Sequence, residues 1–146
     1  MEYPINLLSL ASMYTHIHQI RVRYADTDQM GYVYYGNYAH YYEEARAEAI
    51  RALGMPYKEL ELAGTMLPIT RMNIKYIGPA LYDELITVRT ILSEMPGRFM
   101  HFKYEIYNEA AKLINEGETQ LVFVDAKTRK MVHAPAYLTD RLKPYF

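Results

Sequence analysis

The residue types in this sequence best suited to chemistry are two aspartates, Asp26 and Asp28, which lie shortly before a helical pattern that begins near Asn37. The first turn of a helix carries backbone N–H groups without intrahelical acceptors and the positive end of the helix dipole. Such a site can stabilise a carbonyl oxygen that gains negative charge, and a neighbouring carboxylate can act as nucleophile or general base. The combination predicts hydrolysis of an activated acyl group such as a thioester.

A second pair of residues, His16 and His18, could in principle contribute to a metal site, because both project from the same face of a predicted strand. A structural or catalytic metal site needs at least three converging protein ligands. The sequence offers no evident third ligand and contains no cysteine. We therefore expect no metal site.

Alternation of apolar and polar residues, which indicates strands with one buried face, recurs along the chain. The clearest case runs from Met100 to Ile106, after a Met95-Pro96-Gly97 turn and a strand pattern at Leu85–Leu92. We expect these two strands to form a hairpin. The other predicted strands are His18–Tyr24, Arg71–Tyr76, Thr119–Ala126 and Lys130–His133.

One long segment, Asn37–Leu53, has apolar residues at helical spacing instead. Asn37 can cap its start, Arg51 lies in its last turn, and Gly54 followed by Pro56 ends it. Two shorter helices are expected at Pro56–Ala63 and Pro135–Leu142. This order of elements predicts an α+β fold, in which an antiparallel sheet of five to six strands covers one long central helix.

Five or six strands around one helix leave little internal room for a substrate. A site formed between subunits would provide that room. We therefore expect a homo-oligomer, either a dimer or a tetramer. The chain has 146 residues, which suits a single core. We expect one domain at residues 13–146 and a disordered N-terminal extension at residues 1–12.

Composition excludes several classes of partner. The formal net charge of −1 lacks the basic excess typical of nucleic-acid binding. The apolar stretch near the N-terminus is far shorter than the roughly 20 residues of a membrane span, and no basic segment precedes it. The absence of cysteine is compatible with a reducing compartment. We expect a cytoplasmic protein that has no transmembrane segment and binds no nucleic acid.

The residues around the two aspartates form a specific motif. It reads Tyr24-x-Asp26-Thr27-Asp28-x-x-Gly31-x-Val33-Tyr34-x-x-x-Tyr38, then Tyr42-Glu43-x-Ala45-Arg46-x-Glu48 and Arg51-x-Leu53-Gly54. This motif resembles the 4-hydroxybenzoyl-CoA thioesterase family of hotdog-fold proteins, and is most similar to the bacterial acyl-CoA thioesterase branch associated with the Tol–Pal system. The resemblance covers most of residues 15–135 and implies the hotdog fold.

The resemblance also implies an activity and a set of site residues. The activity is hydrolysis of acyl-CoA to a carboxylic acid and free coenzyme A, which enters as part of the substrate, so no cofactor is expected. Asp28 would be the catalytic carboxylate, and the backbone N–H of Tyr35 or its neighbour Gly36 would polarise the thioester carbonyl. Gly31 would permit a close turn around the acyl group. The other positions expected to bind substrate are Val33, Tyr34, Gly36, Asn37 and Glu43.

Several alternatives remain open at this point. Many members of the Tol–Pal-associated branch carry histidine at the position of Tyr35, although a backbone donor does not depend on the side chain. A sibling branch uses a helical glutamate as its catalytic carboxylate, a role that Glu43 or Glu44 could take. The chain could also be a non-catalytic sensor of acyl-CoA or acyl carrier protein. A hotdog dehydratase would need a suitably placed histidine together with an acid; no histidine lies within Asp26–Asn37, although His40 lies just inside the predicted helix.

Overall fold

The computed structural model describes residues 12–146, which form seven strands and three α-helices. The strands are β1 (Tyr14–Arg21), β2 (Thr65–Met66), β3 (Ile69–Tyr76), β4 (Leu85–Leu92), β5 (Phe99–Tyr107), β6 (Leu113–Asp125) and β7 (Met131–Val132). The helices are α1 (Tyr38–Ala52), α2 (Tyr57–Leu62) and α3 (Ala136–Leu142). Apart from Ser12, the predicted N-terminal extension lies outside the described residues.

The strands form an antiparallel sheet in the order β1-β4-β5-β6, with β3 paired to the other side of β6. The predicted hairpin is β4–β5, in which Val88 pairs with Ile106. The short strands β2 and β7 pair with the last residues of β6. These two-residue strands raise the count from the predicted five to six to seven.

Helix α1 packs against the sheet, with close contacts to β1 and β4. Its buried face carries Tyr42, whose ring stacks on Tyr104 of β5 with a centroid distance of 4.2 Å. A Cβ atom at Gly117 of β6 would overlap the Tyr42 hydroxyl, so glycine is needed where the helix approaches the sheet. The architecture is the predicted hotdog arrangement of a sheet around one central helix.

Several strand boundaries differ from the sequence prediction. Strand β1 begins at Tyr14 rather than at His18, and β3 begins at Ile69 rather than at Arg71. Strand β1 ends at Arg21 rather than at Tyr24, because the Arg23 N–H donates to the Asp26 carboxylate and the chain turns into a 3₁₀-helix. Strand β6 begins at Leu113 rather than at Thr119. Its first half is rich in polar residues, which hides its strand character in the sequence.

Strand β3 was expected to bury one face, and this expectation is wrong for the single chain. Its register places Met72 and Tyr76 on the same face as the helix, yet both side chains are exposed. The reason is position, since β3 lies at the edge of the sheet, on the side opposite β1. An exposed edge strand with apolar side chains is a surface suited to pairing.

Candidate active site

The two aspartates lie in the connection between β1 and α1, and backbone hydrogen bonds fold this connection back on itself. The Asp28 N–H donates to the Tyr32 carbonyl at 2.9 Å, and the Tyr34 N–H donates to the Asp26 carbonyl at 2.9 Å. We call residues 26–34 the hairpin loop. It leads directly into the 3₁₀-helix Tyr35–Asn37, which precedes α1. The acidic residues and the helix start therefore belong to one compact segment.

The tip of the hairpin loop depends on Gly31. Its N–H donates to the Asp28 carbonyl at 3.0 Å, and its φ of +77° is a left-handed conformation that favours glycine. Behind the tip, the Val33 N–H donates to the Ala80 carbonyl at 2.9 Å. The Val33 side chain is only 5% exposed and packs in the core. Val33 thus fixes the loop to the core.

The Asp26 carboxylate is fixed by several hydrogen bonds. Its carboxylate is buried, with the residue 6% exposed, and accepts hydrogen bonds from the Arg23 N–H, the Arg23 guanidinium and the Tyr41 hydroxyl at 3.0–3.2 Å. Burial acts to raise its pKa, but the hydrogen bonds from Arg23 and Tyr41 outweigh burial, so the pKa lies below its ordinary value. Asp26 has the structural role expected for the first acid of the pair.

Asp28 is held much more loosely. The residue is half-buried, and its Oδ1 accepts the Met30 N–H at 2.9 Å, which fixes the rotamer in a local turn. The other carboxylate oxygen, Oδ2, has no hydrogen-bond partner among residues 12–146. The turn therefore orients a carboxylate that keeps one oxygen available.

Two backbone donors lie at the start of the 3₁₀-helix. Neither the Tyr35 N–H nor the Gly36 N–H has an acceptor within the described part of the chain, as is usual for the first residues of a helix. By contrast, the Tyr34 N–H is bound by Asp26 and the Asn37 N–H by the Tyr34 carbonyl. Two successive N–H groups are thus free to bind a developing negative charge.

Asn37 was predicted to cap α1, and the structure corrects this prediction. Its backbone is already helical (φ −75°, ψ −15°), because the 3₁₀-helix precedes α1 without a break, and its side chain caps no helical N–H. The Asn37 Nδ2 instead donates to the Asp26 carbonyl at 2.9 Å. Asn37 thereby ties the helix start to the hairpin loop.

Aromatic side chains surround these donors. The rings of Tyr34 and Tyr35 lie with centroids 4.5 Å apart. The pKa of Tyr34 is raised, mainly by its side-chain hydrogen bond with Tyr35, and the Asp28 carboxylate contributes, so the field of Asp28 reaches this phenol. A Cβ atom at Gly36 would lie 2.8 Å from the Tyr34 ring. Gly36 therefore allows that ring to lie against the helix start.

One residue of this surface was missed by sequence reasoning. The Tyr76 hydroxyl, at the end of β3, donates to the Tyr35 carbonyl at 3.0 Å. In the sequence, Tyr76 is the last apolar residue of an alternating strand pattern, and alternation gives no information about which helix end the strand approaches. Only the pairing of β3 with β6 brings Tyr76 to the site.

The helical acids Glu43 and Glu44 have contacts with other elements of the fold. Glu43 is exposed on α1, and its charge acts on Tyr57 of α2. Glu44 pairs with His18 at 3.2 Å, across the contact between α1 and β1. Among residues 12–146, no group of three or more histidines or acids is arranged to hold a metal ion. Of the acids considered for catalysis, Asp28 is the one in the hairpin loop that has an unpaired carboxylate oxygen within residues 12–146.

Residues 22–142 match the family described as the thioesterase-like superfamily. YbgC of Escherichia coli, an acyl-CoA thioester hydrolase, is 31% identical over 85% of this chain and 92% of its own length. YneP of Bacillus subtilis, assigned provisionally as an acyl-CoA thioesterase, is 36% identical over 78% of this chain and 83% of its own length. The structure of a DHNA-CoA thioesterase from Staphylococcus aureus has a TM-score of 0.83 and 35% identity, covering 90% of this chain and 88% of that chain.

This chain belongs to the thioesterase-like superfamily. The match confirms the hotdog fold and the thioester hydrolase activity predicted from the sequence.

Proposed function

We propose that this chain hydrolyses acyl-CoA at Asp28, with the Tyr35 N–H as donor to the thioester oxygen and the Gly36 N–H beside it. One observation carries this proposal. A half-buried carboxylate with a free Oδ2 and two successive unpaired N–H groups belong to one segment, residues 28–36, in the part of the chain that the structure describes. These are the two components that acyl transfer requires.

The chemistry then follows from the charge that develops on the thioester oxygen. As the carbonyl carbon becomes tetrahedral, the oxyanion is stabilised by the Tyr35 and Gly36 N–H groups and the positive helix end. If Asp28 is a general base, it takes a proton from the attacking water and returns it to the departing CoA thiolate. If Asp28 attacks the carbon itself, CoA thiolate leaves from the tetrahedral intermediate and a mixed anhydride with Asp28 forms. Water then hydrolyses the anhydride, which regenerates Asp28 and supplies the proton that the CoA thiolate takes up. Both routes give a carboxylic acid and free coenzyme A.

The remaining site residues are proposed to shape the acyl pocket. Gly31 keeps the loop tip narrow beside the acyl group, and the exposed Tyr34 ring forms one wall. Val33 and Asn37 support the pocket indirectly. Val33 holds the hairpin loop to the core, and Asn37 holds it to the helix start. Glu43, farther along α1, would contact a distal part of the substrate. No cofactor is proposed.

The finer family placement is also a proposal. The motif supports membership of the 4-hydroxybenzoyl-CoA thioesterase family and of its branch associated with the Tol–Pal system. Exposed phenol rings at Tyr32, Tyr34 and Tyr35 would suit an aryl or a short acyl group. We therefore propose that aromatic and short-chain acyl-CoAs are turned over faster than long-chain ones.

The active form is proposed to be a homo-oligomer, dimer or tetramer, built from a single hotdog domain at residues 13–146. The exposed apolar residues of the edge strand β3, such as Ile69 and Met72, support association with a second copy. Light scattering during size-exclusion chromatography would measure the mass of the assembly. None of the helices within residues 12–146 is long and apolar enough to cross a membrane. A cytoplasmic location stays a prediction.

The direct test is thiol release from a panel of acetyl-, hexanoyl-, benzoyl- and 4-hydroxybenzoyl-CoA. Hydrolysis of at least one member is expected. Tight binding of an acyl-CoA with no release of thiol would contradict the proposal and favour an acyl-CoA sensor. Hydration of an enoyl-CoA in a parallel assay, without hydrolysis, would favour a dehydratase instead.

A further inference from the structure

Building on the proposed function, we propose that Tyr76 is a positioning residue for the oxyanion site. Its hydroxyl holds the carbonyl of the peptide unit that joins Tyr35 to Gly36, and the N–H of that same unit is the Gly36 donor. Tyr76 thereby fixes the direction of the Gly36 N–H and increases its polarity. The comparisons with known proteins assign no role to this residue.

The geometry of the peptide bond links the two ends of this unit. A peptide is planar and almost always trans, so the carbonyl of Tyr35 and the N–H of Gly36 point in opposite directions along one rigid plane. The structure contains no cis peptide bond among its described residues. The Tyr76 hydroxyl donates to the carbonyl at 3.0 Å, which leaves the Gly36 N–H directed away from Tyr76. A hydrogen bond at one end of a peptide also polarises the other end.

This peptide is the part of the helix start that most needs support. The residues on either side of it, Tyr34 and Asn37, are tied to Asp26, through the Tyr34 N–H and through the Asn37 side chain. The Tyr35 side chain between them is 63% exposed. Tyr76 is the one side chain within residues 12–146 that hydrogen-bonds to the Tyr35 backbone. Without it, the donor would rely on helix geometry alone.

Tyr76 is itself held from two directions. Its backbone pairs with Asn115 of β6, so the sheet sets its position. Its ring packs edge-on against Tyr38, a buried residue of α1, with a centroid distance of 5.5 Å. The sheet and the helix thus both fix the hydroxyl that contacts the Tyr35 carbonyl. An edge-strand residue can in this way set the geometry of a helix terminus.

The role differs from ordinary stabilisation. Tyr76 is 50% exposed, and water hydrogen-bonds to its hydroxyl in the unfolded chain, so the net contribution of this hydrogen bond to stability should be small. Placement of an oxyanion donor, however, affects the transition state much more than the ground state. We therefore expect loss of the hydroxyl to lower kcat and to leave both KM and stability nearly unchanged.

The test is Tyr76→Phe, which keeps the ring and removes the hydroxyl. Using the fastest acyl-CoA of the four-member panel, kcat should fall by about threefold to tenfold with KM unchanged, less than the 10²–10³ typical when a whole donor is lost. The matched control is Tyr137→Phe, which removes another hydroxyl hydrogen bond of 3.0 Å, to Thr65, away from the site. The control should retain the wild-type kcat. Thermal unfolding of both variants checks that they fold.

A second measurement reports on the donor itself. The acyl-CoA, labelled with carbon-13 at its carbonyl, is bound to Asp28→Asn protein, and the carbonyl stretch is recorded by infrared difference spectroscopy. Binding should move the stretch to lower wavenumber, and addition of Tyr76→Phe should reduce that displacement. Wild-type kcat in Tyr76→Phe, or an undiminished displacement in the double variant, overturns this inference while leaving the proposed function intact. Failure of wild-type protein to hydrolyse any panel member overturns both.

Discussion

The hairpin loop carries two aspartates in opposite environments, although only Thr27 separates them. We call the part around Asp26 its inner end and the part around Asp28 its outer end. At the inner end, Asp26 is buried and accepts three hydrogen bonds from Arg23 and Tyr41. At the outer end, Asp28 is half-buried and accepts one, from the Met30 N–H. A carboxylate that is saturated with donors is well suited to holding structure and poorly suited to reacting.

One short segment thus combines rigidity with reactivity. The inner end ties the loop to α1 through Tyr41 and Asn37, so the outer end does not need to stabilise anything beyond its own turn. Asp28 can therefore keep one oxygen free without loss of the fold. Catalysis and stability should therefore respond to different substitutions within this loop.

The largest effect is expected from Asp28→Asn. Removal of the charge should lower kcat by about 10³-fold, within the 10²–10⁴ that general acid–base groups contribute. Stability should change little, because the amide oxygen of asparagine can still accept the Met30 N–H. Thiol-release kinetics and thermal unfolding, measured on the same preparation, check the two halves of this prediction.

A matched control exists at the far side of the protein. Asp125 also accepts backbone N–H groups in a local turn, from Lys127 and Thr128. Asp125→Asn should therefore retain wild-type kcat. Similar losses in both variants would show that the effect of residue 28 comes from its turn and not from catalysis.

The next largest effect is expected from Tyr35→Pro, which deletes the donor N–H. Tyr35 is the first residue of the 3₁₀-helix and follows Tyr34 at ψ 133°, a conformation compatible with proline, so the fold should be retained. Activity should fall by about 10²–10³-fold. Tyr35→Ala, which keeps the N–H, should lose far less. Equal losses in the two variants would assign the role to the phenol side chain instead.

The smallest of these effects is expected from Asp26→Asn, and it should be a loss of stability of about 1–3 kcal/mol at neutral pH. The folded-state pKa of Asp26 is depressed. Its contribution is therefore present above the unfolded pKa of about 3.9 and is lost as the pH falls through and below that value. Urea unfolding of the wild-type protein and of Asp26→Asn should be measured between neutral pH and about pH 3. The difference between their free energies of unfolding should become smaller as the pH falls.

A difference between the two proteins that stays constant over this pH range would contradict the assigned role of Asp26. Asp125, whose pKa is also lowered, by backbone hydrogen bonds from Thr128 and Lys127, is present in both proteins and cancels in the comparison. The measured difference therefore reports on the inner end of the hairpin loop.

The elements predicted best were those with a clear local pattern. Strand β5 alternates between buried and more exposed residues, as its sequence indicates, and β4, a β-rich run that is buried almost throughout, pairs with it in the predicted hairpin. The exposure of β3 could not be predicted, since alternation indicates a face but not whether anything covers it. The first half of β6 was missed because polar residues such as Glu116 point to the outer face, where Glu116 approaches Lys75 at 3.8 Å.

The candidate site, too, could be predicted only where its contacts are local in the sequence. The contrast between Asp26 and Asp28 could be anticipated, because both residues and the helix start are close in sequence. The link from Tyr76 to the Tyr35 carbonyl joins residues 41 positions apart. Such a contact depends on the complete sheet, and local patterns carry no information about it.

The most direct test of Asp28 as the catalytic carboxylate is a crystal structure of the Asp28→Asn variant with an uncleaved acyl-CoA. The thioester carbonyl carbon should lie next to the residue 28 side chain, and its oxygen should lie about 2.7–3.1 Å from the N–H of Tyr35 or Gly36. A thioester bound elsewhere, for example beside Glu43 on α1, would contradict the assignment of Asp28 as the catalytic carboxylate.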